Sequence, residues 1–206
     1  MNKAASAAHA MMAYVCYEEG RVINADDSLN PHVTVITHQE AITPTNALRI
    51  LGGYDLIVDC TDRPYTRYLL SDASVLLGKT LVSGAAIASA GQWAVYGGTS
   101  STGTKRACYR CMWPRVIGNG GGNCDEVGVW GPVVGMVGIA MAQEVLRVVI
   151  GLPGKCSGRL GDLDLLTGRR AADVASASYG RKSAGPERQD EAAFCQMRVV
   201  WARQDN

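Results

Sequence analysis

Phenylalanine is almost missing from this chain: it occurs once in 206 residues, and all aromatics together make up 6%. A large aromatic core is therefore excluded, and the 24 glycines favour close-packed turns and backbone-lined sites. Neither charge sign is in excess. The formal net charge is +1, so bulk charge points neither to nucleic acid nor to an acidic membrane surface as a partner. No apolar core of a secretory signal stands in residues 1–10, and no stop-transfer segment follows. The longest apolar stretch, residues 127–141, is short and broken by Pro132 and several glycines. It reads as a buried or subunit-interface helix rather than a membrane span. The three histidines, His9, His32 and His38, have no metal spacing. The seven cysteines are an odd number with one close pair. They read as thiols and metal ligands in a reducing, cytoplasmic compartment rather than as a disulfide framework.

Short apolar and β-branched runs are present at 33–37, 56–60, 80–83 and 159–166, and 92–96 alternates as an antiparallel or edge strand would. Helical patterns lie between them, at 3–12, from Thr43-Pro44 onward, at 66–77 and at 133–150. Strand–helix–strand alternation predicts an α/β domain with a largely parallel, Rossmann-like sheet, helices on both faces and an antiparallel extension. From 171 onward the periodicity fades, and the tail to 206 reads as irregular.

The stretch Tyr54-Asp55-Leu56-Ile57-Val58-Asp59-Cys60-Thr61-Asp62-Arg63-Pro64 carries most of the chemical information. A buried strand ends in two aspartates, and open α/β sheets bind ligands beyond the carboxyl ends of their strands. Asp62 is placed to hold Mg²⁺ beside a nucleotide phosphate, or alternatively to cap the helix that follows. Arg67, one turn on, reads as one half of a structural ion pair with Asp62 or Asp72, and Cys60 as a core residue on the strand.

Cys108-Tyr109-Arg110-Cys111 has the spacing of half a tetrahedral zinc site, or of a plain reduced pair. A thioredoxin-type role is disfavoured, since such pairs begin a helix. Cys156 and Cys195 are the further thiols within reach of the tail. Cys124, in Asn123-Cys124-Asp125-Glu126, is a candidate nucleophile or an ordinary loop cysteine. The neighbouring carboxylates raise its pKa, so an activating cation must come from elsewhere, with Arg110 and Arg115 as candidates. Gly120-Gly121-Gly122 reads as a flexible loop. A nicotinamide-binding G-x-G-x-x-G does not follow a first strand.

Several of these motifs occur in a fixed order: Leu29-Asn30-Pro31-His32-Val33, Asp59-Cys60-Thr61-Asp62, Thr66-Arg67-Tyr68-Leu69, Leu81-Val82-Ser83-Gly84-Ala85, Gly91-Gln92, Cys108-Tyr109-Arg110-Cys111 and Asn123-Cys124. Together they resemble the ubiquitin-activating-like adenylyltransferases of ThiF/MoeB type, in the branch that activates sulfur-carrier and ubiquitin-related modifier proteins. The resemblance covers roughly residues 3–167. It implies ATP- and Mg²⁺-dependent adenylylation of the C-terminal glycine of a ubiquitin-like sulfur carrier, with thiol-linked transfer serving tRNA thiolation or molybdenum cofactor synthesis. By the same resemblance Lys3 is the phosphate-binding lysine, Asp62 the Mg²⁺ ligand, Cys124 the acceptor thiol, and Cys108 and Cys111 zinc ligands whose second pair is missing here. A homodimer through the 127–150 region is implied as well.

The departures are specific. The family's glycine-rich phosphate loop belongs upstream of Lys3, Arg63 stands where the family often has Asn, and residues 11–28 read as an insert. The expectation is a partial adenylyltransferase domain over 1–170, lacking its N-terminal ATP-loop segment and incomplete for catalysis on its own. The alternative is a non-catalytic remnant that serves as a dimerisation or docking module.

Overall fold

β1 (Leu56–Asp59) is buried along its whole length. It is short and apolar because both of its faces are covered. To one side it pairs in parallel with β2 (Thr80–Ile87), Val58 opposite Val82 and Asp59 opposite Ser83. To the other it pairs in parallel with β6 (Val199–Ala202). β2 continues through a tight turn at Ala88 and Ser89 into antiparallel β3 (Ala90–Gly97). β3 pairs with β4 (Arg159–Asp164), and β4 with β5 (Arg169–Ala175), both antiparallel. The sheet order is β5-β4-β3-β2-β1-β6.

The computed structural model describes residues 36, 38, 40–99, 103, 105–114, 127–152, 159–175 and 199–202. All the elements named here lie in one compact unit, Ile42–Gln204. The expected α/β architecture is present, with the parallel strands at one end of the sheet and the antiparallel extension at the other.

Helices cover both faces, and the two-residue period of the strands sorts the core accordingly. On one face Ile57, Leu81, Ala94 and Tyr96 meet α1 (Ala47–Gly52) and α2 (Pro64–Leu76). A one-turn α3 (Tyr109–Met112) joins them, with Tyr109, Met112 and Trp113 packed against this cluster. On the other face Leu56, Val58, Val82 and Val95 meet α4 (Gly131–Val149) through Val133, Val137 and Met141. Burying each of these α4 side chains contributes about 1.5–3 kcal/mol. The helix lies this close because Gly84 and Gly91 have no side chain. A Cβ on Gly84 would collide with Met141 and Val137, and one on Gly91 with Val137.

α2 starts where Pro64 supplies a preset φ at its first turn. It stops at Leu77, and Gly78 takes the left-handed conformation that follows a helix end (φ +67°). α1 ends on a different device. The Lys79 ammonium donates to the carbonyls of Leu51 and Gly52, each at 2.8 Å, and also to that of Tyr54. A cation satisfies the orphan carbonyls of a helix C-terminus and favours its dipole.

Several sequence expectations are corrected. The tail is not irregular throughout, because residues 171–175 complete β5 and residues 199–202 form β6 beside β1. Of the two readings of the strand at 90–97, antiparallel or edge, the first holds, since it pairs antiparallel on both sides. Cys60 is not in the core: β1 stops at Asp59 and Cys60 is exposed. By length and composition alone α4 is long and apolar enough to cross a membrane, which the broken stretch did not suggest, yet one face of it packs on the sheet. Of the strand expected at 33–37, only Ile36 is described, exposed and outside any strand. The expected helix at 3–12 and insert at 11–28 lie outside the described residues.

Candidate active site

The carboxyl end of β1 is organised around Asp59, whose side chain has no exposed surface. Its Oδ1 accepts hydrogen bonds from the Thr61 backbone N–H (2.9 Å) and the Thr61 hydroxyl (2.6 Å). Its Oδ2 accepts from the Ser83 hydroxyl (2.7 Å) and from Arg67 Nε (3.0 Å). A buried carboxylate is tolerated when it is paired and its lone pairs are filled, and both conditions hold here. Arg67 comes from α2, one turn past Pro64. Its Nη2 donates to the carbonyls of Thr61 (2.8 Å) and Gly84 (3.4 Å). Burial lowers the Arg67 pKa, but Asp59 and Tyr109 outweigh it, and the guanidinium is held above its ordinary value. The structural ion pair expected for Arg67 exists, with Asp59 as its partner rather than Asp62 or Asp72.

Asp62 lies three residues further on and is exposed. It stands beyond the carboxyl end of β1. The capping alternative has lost its place, because the N-cap of α2 is Arg63, whose side chain makes no cap hydrogen bond. An exposed lone carboxylate suits Mg²⁺, which is commonly held by one or two carboxylates together with substrate phosphates.

Beside this strand end opens a small, shallow cleft of about 30 Å³. Arg67, Ser83 and Gly84 line it on the Asp59 side, and Trp93, Tyr96, Tyr109 and Trp113 form aromatic walls. Tyr109 stands edge-on to Tyr68 (4.9 Å between centroids) and to Tyr96 (5.4 Å), with the Arg67 guanidinium 5.9 Å from its centre. Burial pushes the Tyr96 hydroxyl up to about 12. The cleft thus combines π faces with a fixed cation.

α3 carries the cysteine pair. Cys108 and Cys111 are 3.4 Å apart at sulfur and form no disulfide. A tetrahedral zinc with bonds of about 2.3 Å spreads two sulfurs to about 3.8 Å, so the pair is near chelating distance. Among the described residues no group of three His, Cys, Asp or Glu could close a metal site. The described residues therefore fit half of a zinc site. Cys108 precedes a helical turn, as thioredoxin-type pairs do, but the helix has only four residues. Arg110, a candidate activator for Cys124, is instead engaged with Asp72 through two contacts of 2.7 Å and lies 4.7 Å from the Tyr68 ring centre. Lys3, Cys124, Arg115, Cys156 and Cys195 lie outside the described residues.

A family model described as the ThiF family matches residues 24–183. The chain belongs to the ThiF family. Curated relatives include the adenylyltransferase and sulfurtransferase UBA4 of Candida albicans, 43% identical over 129 residues, which are 62% of this chain and 28% of the relative. The uba4 protein of Emericella nidulans is 46% identical over 59% of this chain and 26% of its own length. The adenylyltransferase and sulfurtransferase MOCS3 of Drosophila grimshawi is 42% identical over 64% of this chain and 29% of its own. The matched part of this ThiF-family chain thus spans less than a third of those relatives. A crystal structure of E. coli MccB superposes with a TM-score of 0.49 at 12% identity, covering 63% of this chain and 40% of that one.

In this ThiF-family chain the structure brings Asp62, the Asp59–Arg67 pair and the aromatic cleft to one strand end. The sequence reading missed Asp59, Ser83 and the four cleft aromatics. Asp59 carried a signal, as a charged residue ending an apolar run, but its burial depends on Arg67 and Ser83 from other elements. The aromatics, spread from 93 to 113, share no spacing that could have united them.

Proposed function

We propose that this chain takes part in ATP-dependent adenylylation of the C-terminal glycine of a ubiquitin-like sulfur-carrier protein, followed by thiol-linked transfer, in the service of tRNA thiolation or molybdenum cofactor synthesis. The observation that carries the proposal is the exposed Asp62 at the carboxyl end of a parallel strand, beside an aromatic cleft, in a ThiF-family chain. Asp62 would hold Mg²⁺, and the ion supplies charge compensation for the phosphates of ATP. The Asp59–Arg67 pair keeps the strand end rigid, so that Asp62 and the cleft hold one geometry. The extended C-terminal tail of the carrier is assigned to the open side of this cleft, beside Arg67 and Tyr109. Lys3 is assigned to the phosphates. Cys124 is assigned as the acceptor: its thiolate attacks the carbonyl of the acyl-adenylate, AMP leaves, and a thioester forms.

The test is ATP–pyrophosphate exchange by the purified chain, with and without a sulfur carrier ending in Gly-Gly. Carrier-dependent exchange, lost in Asp62→Asn, supports the proposal. Absence of exchange in a protein shown to be folded removes it.

A second reading, a dimerisation or docking module, has an observation of its own. The outer side of α4 exposes Val134, Ile139 and Leu146 while its inner side is packed on the sheet. A second copy of the chain would cover that apolar side. Sedimentation velocity checks it: Ile139→Glu is expected to shift a dimer to monomer.

A further inference from the structure

We propose that Gln92 is a specificity-determining residue whose carboxamide reads a backbone peptide group of the incoming C-terminal tail. This deepens the carrier-tail assignment made above and rests on it.

The strands around the site end at different levels. β1 stops at Asp59, opposite Ser83, whereas β2 continues to Ile87. Past that point β3 is still paired on both sides, with Gln92 opposite Ala85 of β2 and Asp162 of β4. The two-residue period of strands puts Gln92 on the face of Ala94 and Tyr96, where α2 and α3 pack. Ala85 shares that face with Ser83. One row beyond the Asp59–Ser83 contact, the sheet surface is therefore Ala85 and then Gln92.

Gln92 is exposed and lines the cleft with Arg67 and Tyr109. The Thr61, Ser83 and Arg67 side chains beside it are all engaged by Asp59. Among the described residues, none hydrogen-bonds the Gln92 carboxamide. A donor and an acceptor thus stand open at the site.

A tail ending in Gly-Gly presents no side chain. It can be recognised only by its peptide groups, its slenderness and its terminal carboxylate. A carboxamide carries N–H donors and a C=O acceptor in one plane, the same groups as a peptide unit. Gln uses that pair to read a donor–acceptor edge on a nucleic-acid base, and a peptide unit presents the same chemistry. Ala85 adds only a methyl beside it and leaves room for a backbone. The reach agrees. β3 lies two strand spacings, about 9.5 Å, from β1. Three extended residues span about 10 Å. A tail whose carboxylate arrives at the end of β1 therefore lays one of its last peptide groups over Gln92.

The test titrates the purified full chain with a short synthetic peptide ending in Gly-Gly. Affinity is read by calorimetry, and the Gln92 side-chain N–H₂ resonances by NMR, assigned with Gln92→Leu. Two further peptides are N-methylated at the last or at the preceding peptide bond. The peptide is expected to shift the Gln92 resonances, and Gln92→Leu to weaken binding about 2–10-fold, the range for one hydrogen bond. One of the N-methylated peptides is expected to bind the unaltered chain more weakly by a similar factor. It is expected to lose nothing further against Gln92→Leu, because both changes remove one contact. Gln92→Glu keeps the size and loses the donor, and decides the question if the leucine variant does not fold. Unchanged affinity in these variants would overturn the proposal. So would penalties that multiply, unmoved Gln92 resonances in the bound state, or a peptide that does not bind. The adenylylation reading fails separately. A chain that binds the peptide through Gln92 but shows no ATP–pyrophosphate exchange loses that reading and keeps this one. Carrier-dependent exchange with the same KM for the carrier in Gln92→Leu does the reverse.

Discussion

Two aspartate–arginine pairs in this molecule use the same chemical groups in opposite settings. The Asp59–Arg67 side chains are 0% and 11% exposed, while those of Asp72–Arg110 are 43% and 46% exposed. The exposed pair has the better geometry, with two contacts of 2.7 Å against a single 3.0 Å contact in the buried pair. Geometry is nevertheless not what decides their weight. In water the attraction of two charges is small and costs side-chain freedom. In the interior, removing one partner leaves the other charge with neither water nor counterion. The buried pair is therefore a structural keystone of the strand end, and the exposed pair a brace for a surface turn.

Replacing Arg67 tests the buried side of this contrast hardest. Arg67→Met leaves Asp59 buried with only hydroxyl and backbone partners, and is expected to destabilise the fold by about 3–5 kcal/mol in urea unfolding. A loss of less than about 1 kcal/mol would erase the distinction between the two pairs. Lys79 offers an intermediate case, a cation satisfying helix-end carbonyls rather than a carboxylate. Lys79→Met is expected to cost about 1.5–3 kcal/mol, the range for hydrogen bonds to charged groups, by the same measurement.

Tyr96 extends the comparison to pH. Its hydroxyl is held at about 12 when folded and is near 10 when unfolded. The folded state thus keeps a proton that the unfolded chain gives up. This contribution is whole below pH 10 and is lost as pH rises toward 12, by about 2 kcal/mol. Tyr96→Phe is expected to flatten that decline, read from unfolding midpoints across the alkaline range. The smallest effect belongs to the exposed pair. Arg110→Met is expected to leave the unfolding midpoint unmoved and to speed alkylation of Cys108 and Cys111, because the brace on α3 is gone.

Much of the architecture was legible. The run Leu56-Ile57-Val58 announced a strand covered on both faces, and Pro64 announced the start of α2. The apolar pattern at 133–150 announced α4 to within two residues at its start and one at its end. What failed, failed for identifiable reasons. Residues 171–175 and 199–202 look unremarkable alone, since an added strand takes its stability from the backbone of its neighbour. Cys60 was placed in the core because sequence pattern marks strand ends loosely. Asp62 was legible as a site residue, but the roles of Asp59 and Asp62 could not be separated without knowing which carboxylate Arg67 reaches.

Local sequence by itself determined where most helices and strands form, that one carboxylate ends β1 and a second follows in the loop, and that two thiols share one turn. Those properties follow from residue spacing over a few positions, where backbone geometry is set. Only the tertiary structure decided that Asp59 is a buried anchor and Asp62 an exposed candidate ligand. It also decided that aromatics from two separate segments, β3 and the α3 turn, form one cleft, and that α4 rests directly on Gly84 and Gly91. Burial, dielectric and counter-charge are properties of what surrounds a residue, and here those surroundings come from elements far apart in the chain.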